Sequence, residues 1–270
     1  MAGRGPQGRV LIAAGSDSGG GAGIQADIKT VTALGGYAAT AITAITIQNT
    51  LGVTGVHDVP GEVVARQMRA VLDDIGADCI KTGMLQNRAV IEAVARAIET
   101  TEAPLVVDPV VIATSGDRLT SEDTVQSLIS LLFPRAAVVT PNVAEAEMLA
   151  GEEIISLNGM RHAARTLLGF GSRAVLITGG EHEPGRITDL LVTAEGEALF
   201  EAERVETRHT HGTGCTLASA IATGLAQGMD LKLAIARAHR YVQAAIRGAP
   251  GLGKGNGPLN HGHAIPPYPA

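Results

Sequence analysis

Aromatic side chains are scarce in this sequence, which has no tryptophan, three tyrosines and three phenylalanines in 270 residues. Proteins that bind single-stranded nucleic acid commonly stack bases on aromatic rings, so this kind of binding is not expected. The net charge of −6 also argues against a surface that attracts nucleic acid or anionic membranes without specificity. The composition therefore points away from nucleic acids and membranes as partners.

Cysteine is equally scarce, since Cys79 and Cys215 are the two in the chain. Two thiols cannot form a disulfide framework or a zinc site built from cysteines. No uninterrupted apolar run approaches the length that crosses a bilayer, and the first apolar stretch, 10–14, is too short for a signal-peptide core. We therefore expect a cytoplasmic protein with reduced thiols, with Cys79 in the core.

Apolar residues make up 45% of the chain, enough for a large core in one or two domains. Short apolar runs alternate with longer amphipathic ones. The predicted strands are 10–14, 77–80, 105–107, 137–140 and 174–178. The predicted helices are 62–74, 89–99, 121–132, 144–150, 158–168, 215–227 and 231–247. This alternation predicts an α/β fold with a mostly parallel sheet and helices on both faces.

Two stretches interrupt the alternation. The segments 40–47 and 53–59, rich in Thr, Ile and Val, predict a short strand pair, and 187–192 with 198–205 predict a hairpin. With no repeat and no linker, we expect one domain over 1–270, with irregular ends at 1–8 and 263–270. In open parallel sheets ligands bind beyond the carboxyl ends of the strands, so functional residues are sought just after strands.

A glycine-rich loop, 14–23, follows the first predicted strand and opens a helix. Glycines let a ligand approach the backbone closely and leave N–H groups free at the start of the helix. The loop lacks the Gly-Lys-Ser/Thr of the common P-loop, and the acid that a dinucleotide site needs about twenty residues later is missing. A small-substrate loop of another kinase fold and a merely tight turn remain as interpretations.

Asp27 lies on the edge of the apolar stripe of the helix that follows this loop. That stripe comprises Ile24, Ile28 and Val31. A carboxylate near a core face is either paired or functional, because burial of a lone charge is costly. The candidate partners for pairing are Lys29, Arg66 and Arg69, and the functional interpretation is a hydrogen bond to a polar ligand. Asp17 is expected to be a turn or cap residue.

The segment 210–216, Thr-His-Gly-Thr-Gly-Cys-Thr, precedes an alanine-rich helix. Gly212 and Gly214 leave backbone N–H groups at a helix N-terminus, which binds anions such as a transferring phosphoryl group. Cys215 lies in the first turn, where the helix dipole lowers the pKa of a thiol, so it can act as a base or nucleophile. The alternative is a small buried hydrophobe. Both a general base and a structural role are open for His211.

Polar side chains also follow two buried strands, Asp108 after one and Asn142 and Glu145 after another. Hard oxygen ligands at adjacent strand ends suit Mg²⁺ held with a nucleotide, largely through water. The Asn-x-x-Glu spacing equally fits a helix N-cap with its capping box. A third strand end, 177–180, finishes in two glycines and suits the phosphates or ribose of a nucleotide.

Together, these motifs resemble the hydroxymethylpyrimidine/phosphomethylpyrimidine kinases of thiamine biosynthesis, which belong to the ribokinase-like superfamily. The resemblance runs in order from about residue 9 to residue 261. Its segments are 14–30, 48–50, 81–85, 108–116, 140–142, 211–216 and 257–261. It implies a ribokinase-like three-layer sandwich, with a mostly parallel central sheet and a small β flap at 40–59 that covers the substrate. It also implies a homodimer.

The resemblance implies ATP-dependent phosphorylation of 4-amino-5-hydroxymethyl-2-methylpyrimidine, and then of the monophosphate to the diphosphate. By position, the aminopyrimidine ring would be held by Gly15, Asp27 and Gln48, with Met84 and Val110 packed on it. The anion hole would comprise Gly212, Gly214 and Cys215, with Cys215 as base or positioning group. Mg²⁺ would be held by Asp108, Asn142 and Glu145. The ATP phosphates would lie near Thr178, Gly180 and Thr213.

Two departures keep alternatives open. Thr178 stands where some relatives have lysine, so no lysine clamp on the phosphates is assumed. Pyridoxine and pyridoxal kinases share the glycine-rich loop and the later Gly-Cys, and Gln48 is the residue that favours the pyrimidine kinases. The alternatives are a vitamin B6 kinase, a dual activity, or a non-catalytic pyrimidine sensor, against which the anion hole argues. A dehydrogenase is disfavoured by the missing ribose-binding acid.

Overall fold

The computed structural model describes residues 7–111 and 121–266, so Ser115 and Gly116 of the quoted motif and both extreme ends lie outside the described residues. Within the described residues, nine strands form one sheet in the order β3-β2-β1-β4-β5-β6-β7-β8-β9. The strands are β1 (Arg9–Asp17), β2 (Tyr37–Asn49), β3 (Gly52–Asp58), β4 (Cys79–Thr82), β5 (Leu105–Val107), β6 (Ala136–Val139), β7 (Ala174–Gly180), β8 (Arg186–Thr193) and β9 (Gly196–Glu203). The helices are α1 (Gly23–Ala33), α2 (Gly61–Asp74), α3 (Arg88–Ile98), α4 (Glu122–Leu131), α5 (Val143–Ala150), α6 (Leu157–Leu168), α7 (Thr213–Ala226) and α8 (Leu231–Arg247), with a 3-10 turn at Phe133–Arg135.

The sheet is parallel through its centre and antiparallel at both edges. Parallel pairing joins β2, β1, β4, β5, β6 and β7. β3 pairs antiparallel at one edge, and β8 and β9 do so at the other. The predicted mostly parallel sheet and the predicted hairpin, now β8 and β9, are confirmed. Most predicted boundaries lie within one or two residues of those in the structure.

Two apolar cores lie on opposite faces of the sheet, which makes three layers. Successive residues of β1 alternate between them, with Leu11 in the core under α2 to α6 and Ile12 in the core under α1, α7 and α8. This alternation follows from the two-residue period of a strand. Strands buried on both faces are often continuously apolar, as β5 is, which explains why it is recognisable as a short run. β4 is equally buried, but its second half is Lys81 and Thr82. Among the described residues, no helix has the length and apolarity needed to span a bilayer.

The predicted strand pair at 40–59 is partly corrected. β2 begins at Tyr37 and pairs in parallel with β1 as far as Thr46, so most of it belongs to the central sheet. The flap is therefore the end of β2 together with β3, whose residues are mostly exposed. The predicted apolar stripe of α1 is wrong at Ile28, which is exposed. Asp27, predicted at the edge of that stripe, is fully buried.

Candidate active site

A cavity of about 720 Å³ opens at the carboxyl ends of the parallel strands. It is bordered by the loop after β1, by the end of β2, by the N-terminus of α7 and by the ends of β7 to β9. Of the fourteen residues that the sequence assigns to the site, twelve line the cavity. They are Gly15, Gln48, Met84, Asp108, Val110, Asn142, Glu145, Thr178, Gly212, Thr213, Gly214 and Cys215. Asp27 and Gly180 do not line it.

Asp17 organises the glycine-rich loop, as expected for a turn residue. Its carboxylate accepts hydrogen bonds from the backbone N–H groups of Gly19, Gly21 and Ala22 at 2.7 to 3.0 Å. His211 Nε2 lies 3.0 Å from the same carboxylate. Burial acts to raise the pKa of Asp17, but these hydrogen bonds outweigh it and the pKa is lowered. The contact ties the loop to the segment before α7, which supports a structural role for His211.

Gln48 reaches the cavity from the end of β2. Its Nε2 lies 3.2 Å from His211 Nε2, and its Oε1 accepts a hydrogen bond from Thr46 Oγ1 at 3.0 Å. Met84 and Val110 add apolar surface to the same end of the cavity. A Cβ on Gly15 would lie 2.5 Å from Cε of Met84, so glycine keeps that space open. This end combines the Gln48 amide with apolar walls, which suits a small polar ring.

The N-terminus of α7 lies at the centre of the cavity. Gly212 is its N-cap, with a φ of 87°, and no side chain of the described residues caps the helix. The backbone N–H of Thr213 donates to the carbonyl of Thr210 at 3.2 Å, so the N–H groups of Gly214 and Cys215 are those available to a ligand, and the helix dipole favours an anion there. A Cβ on Gly212 would lie 1.9 Å from the carbonyl oxygen of Gly21. Glycine is required at this position by both its conformation and the close approach of the loop.

Cys215 lies in the first turn of α7, but the expectation of a lowered pKa is wrong. Burial raises the pKa of its thiol to about 12, and the nearby carboxylates of Asp108 and Asp27 act in the same direction. Lys81 and the backbone N–H of Gly23 oppose this rise without cancelling it. The thiol is therefore protonated at neutral pH, and its interaction with the Asp108 carboxylate acts to lower the pKa of that carboxyl. Cys79 is fully buried in the core, as predicted.

Asp27 is paired, but with a residue that the sequence reasoning missed. Lys81 Nζ lies 3.0 and 3.2 Å from its two carboxylate oxygens, and Ser219 Oγ donates to Oδ1 at 2.7 Å. Lys81 and Asp27 are both fully buried. Asp27 therefore does not line the cavity, and its partners are Lys81 and Ser219 and not Lys29, Arg66 or Arg69. The sequence does contain a signal for this pairing, since a lysine inside a buried strand, here Lys81, needs a buried counter-charge.

Lys81 connects this buried pair to the cavity. Its Nζ also lies 3.5 Å from Oδ2 of Asp108, which lines the cavity. Burial alone would lower the pKa of Lys81, but the negative charges around it raise that pKa above its usual value. The lysine is therefore charged. The buried ammonium group of Lys81 thus forms ion pairs with both Asp27 and Asp108.

Asn142 and Glu145 form the capping box of α5. Asn142 Oδ1 accepts from the backbone N–H of Glu145 at 2.9 Å, and Glu145 Oε2 accepts from the backbone N–H of Asn142 at 3.0 Å. Both residues also line the cavity. Burial and the charge of Asp108 raise the pKa of Glu145 to about 8. The described residues contain no group of three or more His, Cys, Asp and Glu side chains that would hold a metal.

The other end of the cavity begins at Thr178 and Gly179. Gly179 has a φ of 78°, and its backbone N–H donates to Oδ1 of Asp189 at 2.8 Å. The next residue, Gly180, faces away, since a Cβ there would lie 2.6 Å from the sulfur of Met160. Gly179, and not the predicted Gly180, therefore lines the cavity. Beyond it lie Leu217, His239, Val242, Gln243 and Ile246 of α7 and α8.

A parallel sheet that carries a glycine-rich loop, an uncapped helix N-terminus and neighbouring carboxylates at one edge defines a small-molecule kinase of the ribokinase-like class. The family model for phosphomethylpyrimidine kinase matches residues 17–260. The chain belongs to that family, and it is a phosphotransferase.

Relatives support this assignment. The chain is 47% identical over 256 residues to a hydroxymethylpyrimidine/phosphomethylpyrimidine kinase of Streptomyces coelicolor, covering 95% of each chain. It is 51% identical over 257 residues to a thiamine biosynthesis bifunctional protein of Geobacter sulfurreducens, covering 95% of this chain and 52% of that protein.

Solved structures are similar as well. A pyridoxal kinase from Staphylococcus aureus in complex with pyridoxal has a TM-score of 0.89 at 33% identity, covering 97% of this chain and 96% of that one. A phosphomethylpyrimidine kinase from Clostridium difficile has a TM-score of 0.78 at 36% identity, covering 90% and 100%. The predicted ribokinase-like fold is confirmed.

Proposed function

We propose that the chain uses ATP to phosphorylate 4-amino-5-hydroxymethyl-2-methylpyrimidine, and then phosphorylates the monophosphate to the diphosphate, as a step of thiamine biosynthesis. The observation that carries the proposal is one cavity in which Gln48, the N-terminus of α7 and the Asp108 carboxylate meet. The matching relatives include kinases named for this pyrimidine and a bifunctional protein of thiamine biosynthesis.

In this proposal the substrate ring occupies the end of the cavity near β1 and β2. Met84 and Val110 contribute apolar contacts, and Gly15 leaves room for the ring. The amide of Gln48 both donates and accepts hydrogen bonds, which complements an amino group next to a ring nitrogen. Asp27 takes no direct part, because both its oxygens are engaged by Lys81 and Ser219. Its role is to hold Lys81.

Transfer takes place at the N-terminus of α7. Phosphoryl transfer depends mainly on positioning and on neutralising the charge of the transferred group. The N–H groups of Gly214 and Cys215 and the helix dipole stabilise the negative charge on that group. Because the Cys215 thiol is protonated, we assign it the task of hydrogen-bonding and orienting the hydroxymethyl oxygen. It is not proposed as a thiolate base.

Mg²⁺ fits between the two ends of the cavity. Oδ2 of Asp108 is buried without a hydrogen-bond partner among the described residues, although Lys81 Nζ lies 3.5 Å away. Glu145 is close enough to Asp108 for the charge of Asp108 to raise the pKa of Glu145. Magnesium is usually held by one or two carboxylates together with water and substrate phosphates. Asp108 and Glu145 would hold it, and the ion would neutralise phosphate charge.

Nucleotide occupies the end near β7 in this proposal. Thr178, Gly179 and Thr213 line the cavity next to the N-terminus of α7, where the phosphates would lie. Leu217, Val242 and Ile246 supply an apolar wall for the base. Solved pyridoxal kinases of similar fold were determined with ADP and with AMP-PCP.

The test is product identification after incubation with ATP and Mg²⁺, with the hydroxymethylpyrimidine and pyridoxal in separate reactions. Mass spectrometry should find the pyrimidine monophosphate and then the diphosphate. The variant Gln48→Leu, which has a similar volume but no amide, should raise KM for the pyrimidine about tenfold or more, the usual effect of losing a polar contact in a closed site. Pyridoxal phosphate as the sole product, or no turnover of either compound, would contradict the proposal.

A pyridoxal kinase activity is the second candidate. It is favoured by the similarity, at a TM-score of 0.89, to a pyridoxal kinase solved with pyridoxal. The same reactions decide between the two activities, and formation of both sets of products would establish a dual activity.

We further propose that the chain is a single domain over 1–270 that forms a homodimer through the flap. Three apolar side chains of the flap, Ile47, Val53 and Val56, and the neighbouring Ile45 of β2 are each at least 40% exposed. β3 is an edge strand, and exposed apolar edges favour association. Gel filtration should give a mass twice that of the 27.6 kDa chain. Elution as a single chain would contradict the dimer.

A further inference from the structure

Acidic side chains outnumber basic ones in the described part of the cavity lining. The acidic residues are Asp17, Asp108, Glu145, Glu181 and Asp189, whereas the basic ones, apart from His211 and His239, reduce to Arg204. ATP brings several negative charges into this cavity, and Mg²⁺ offsets two of them. Thr178, at the nucleotide end of the cavity, supplies no charge. Among the described lining residues, Arg204 is therefore the one that carries a permanent positive charge.

Arg204 stands at the mouth of the nucleotide end of the cavity. It follows directly after β9, where its backbone N–H donates to the carbonyl of Gly185 at 2.8 Å. Its guanidinium forms an ion pair with Glu181, and its Nε lies 3.2 Å from a carboxylate oxygen of Glu206. Glu181 follows β7 and is two residues beyond Gly179. The Arg204–Glu181 pair thus connects the ends of β7 and β9 beside the expected phosphate position.

Both members of the pair are free to exchange partners. The side chains of Arg204 and Glu181 are 44% and 52% exposed. Ion pairs this exposed contribute little to stability, because water screens the attraction and the long side chains lose freedom. A guanidinium forms shorter and stronger charge-assisted hydrogen bonds with phosphate oxygens, often two at once. Phosphate therefore competes well with Glu181.

We propose that Arg204 binds the phosphates of the nucleotide, and that Glu181 is the partner it releases when the nucleotide enters. This inference rests on the proposed function, since it requires ATP in the cavity end formed by β7 to β9. Glu181 has the opposite effect to Arg204, because it competes for the guanidinium and repels the phosphates. Removal of the two charges should therefore change nucleotide affinity in opposite directions.

The experiment compares Arg204→Gln and Glu181→Gln with the wild-type chain. Arg186→Gln is the matched control, since Arg186 is a half-exposed arginine of β8 that pairs with Glu183 and Glu201 and does not line the cavity. The affinity for ADP is measured by calorimetry, and KM for ATP and for the pyrimidine by steady-state kinetics. Thermal melting checks that each variant is folded.

We expect Arg204→Gln to raise the Kd for ADP and KM for ATP about tenfold, the usual effect of losing one charge-assisted hydrogen bond. Glu181→Gln should lower both about twofold to threefold, in keeping with an exposed ion pair. Arg204→Lys should lie between Arg204→Gln and wild type. KM for the pyrimidine, and all constants of Arg186→Gln, should stay within about twofold of wild type, since none of these groups adjoins the ring.

Two results would overturn the inference. One is an unchanged affinity for ADP in Arg204→Gln. The other is a change in the same direction for Arg204→Gln and Glu181→Gln, which would mean that the pair only holds the two strand ends together. Failure of the proposed function would look different, because the wild-type chain itself would then not consume ATP with the pyrimidine.

Discussion

The buried pair of Lys81 and Asp27 gives the sharpest prediction about what holds the site together. Neither residue is accessible to solvent, and Lys81 Nζ lies 3.0 and 3.2 Å from the carboxylate oxygens. Removal of one partner leaves an uncompensated charge in the core, which typically costs about 3–5 kcal/mol. Lys81→Met leaves two carboxylates without their cation, because Lys81 also pairs with Asp108.

The double variant Lys81→Met/Asp27→Asn removes both charges of the pair. Replacing a buried ion pair by neutral groups is often nearly neutral for stability, because the desolvation cost of both charges disappears with their attraction. We therefore expect the double variant to recover at least about 2 kcal/mol of what Lys81→Met alone loses. Its activity should remain low, because Asp108 no longer has its cation.

Urea denaturation measures these free energies of unfolding, and Lys29→Met is the control, since Lys29 is an exposed lysine that donates to a backbone carbonyl. The control should change stability by less than about 1 kcal/mol. The reasoning would be refuted by a Lys81→Met variant as stable as wild type. It would also be refuted by a double variant whose loss equals the sum of the two single losses.

Three further predictions concern the site. Gly212→Ala should unfold or inactivate the chain, because its Cβ would lie 1.9 Å from the Gly21 carbonyl; Gly228→Ala, also at positive φ but with open space around it, should cost only about 1 kcal/mol in a melting experiment. Burial and the charge of Asp108 raise the pKa of Glu145 to about 8, so protonated Glu145 contributes stability that is full below about pH 4.5 and is lost as pH rises through about 8. In urea denaturation at pH 9 without Mg²⁺, Glu145→Gln should therefore stabilise the chain by about 1–3 kcal/mol. An unchanged pH profile would contradict this. Cys215, with a pKa of about 12, should react with iodoacetamide at pH 8 at least about tenfold more slowly than free cysteine, and equal rates would show that it is ionised.

Much of the fold could be predicted because each strand and helix carries its own signal. α8 begins and ends at the predicted residues, since Leu231 to Arg247 is a long amphipathic run that starts after the N-cap Asp230. The strand β2 could not be placed as well. Its pattern of Thr, Ala and Ile fits both a flap and a sheet strand, and its pairing with β1 is a long-range property that local sequence does not contain.

The candidate site likewise has features that the sequence predicts and features that it does not. Residues at strand ends and at the N-terminus of α7 were predictable, because topology alone brings the carboxyl ends of parallel strands together. The protonation of Cys215 was not, because it depends on Asp108 and Asp27, which come from distant parts of the chain. The partner of Asp27 was missed for the same reason, since Lys81 lies 54 residues away.

The most direct test of the central claim is a competition between the hydroxymethylpyrimidine and pyridoxal at equal concentration, with ATP and Mg²⁺ in one reaction. The ratio of products gives the ratio of kcat/KM for the two alcohols, which is what a specificity claim requires. We expect pyrimidine monophosphate to form at least about tenfold faster than pyridoxal phosphate, followed by the diphosphate. A reaction in which pyridoxal phosphate predominates would contradict the account of Gln48 and of the substrate end of the cavity.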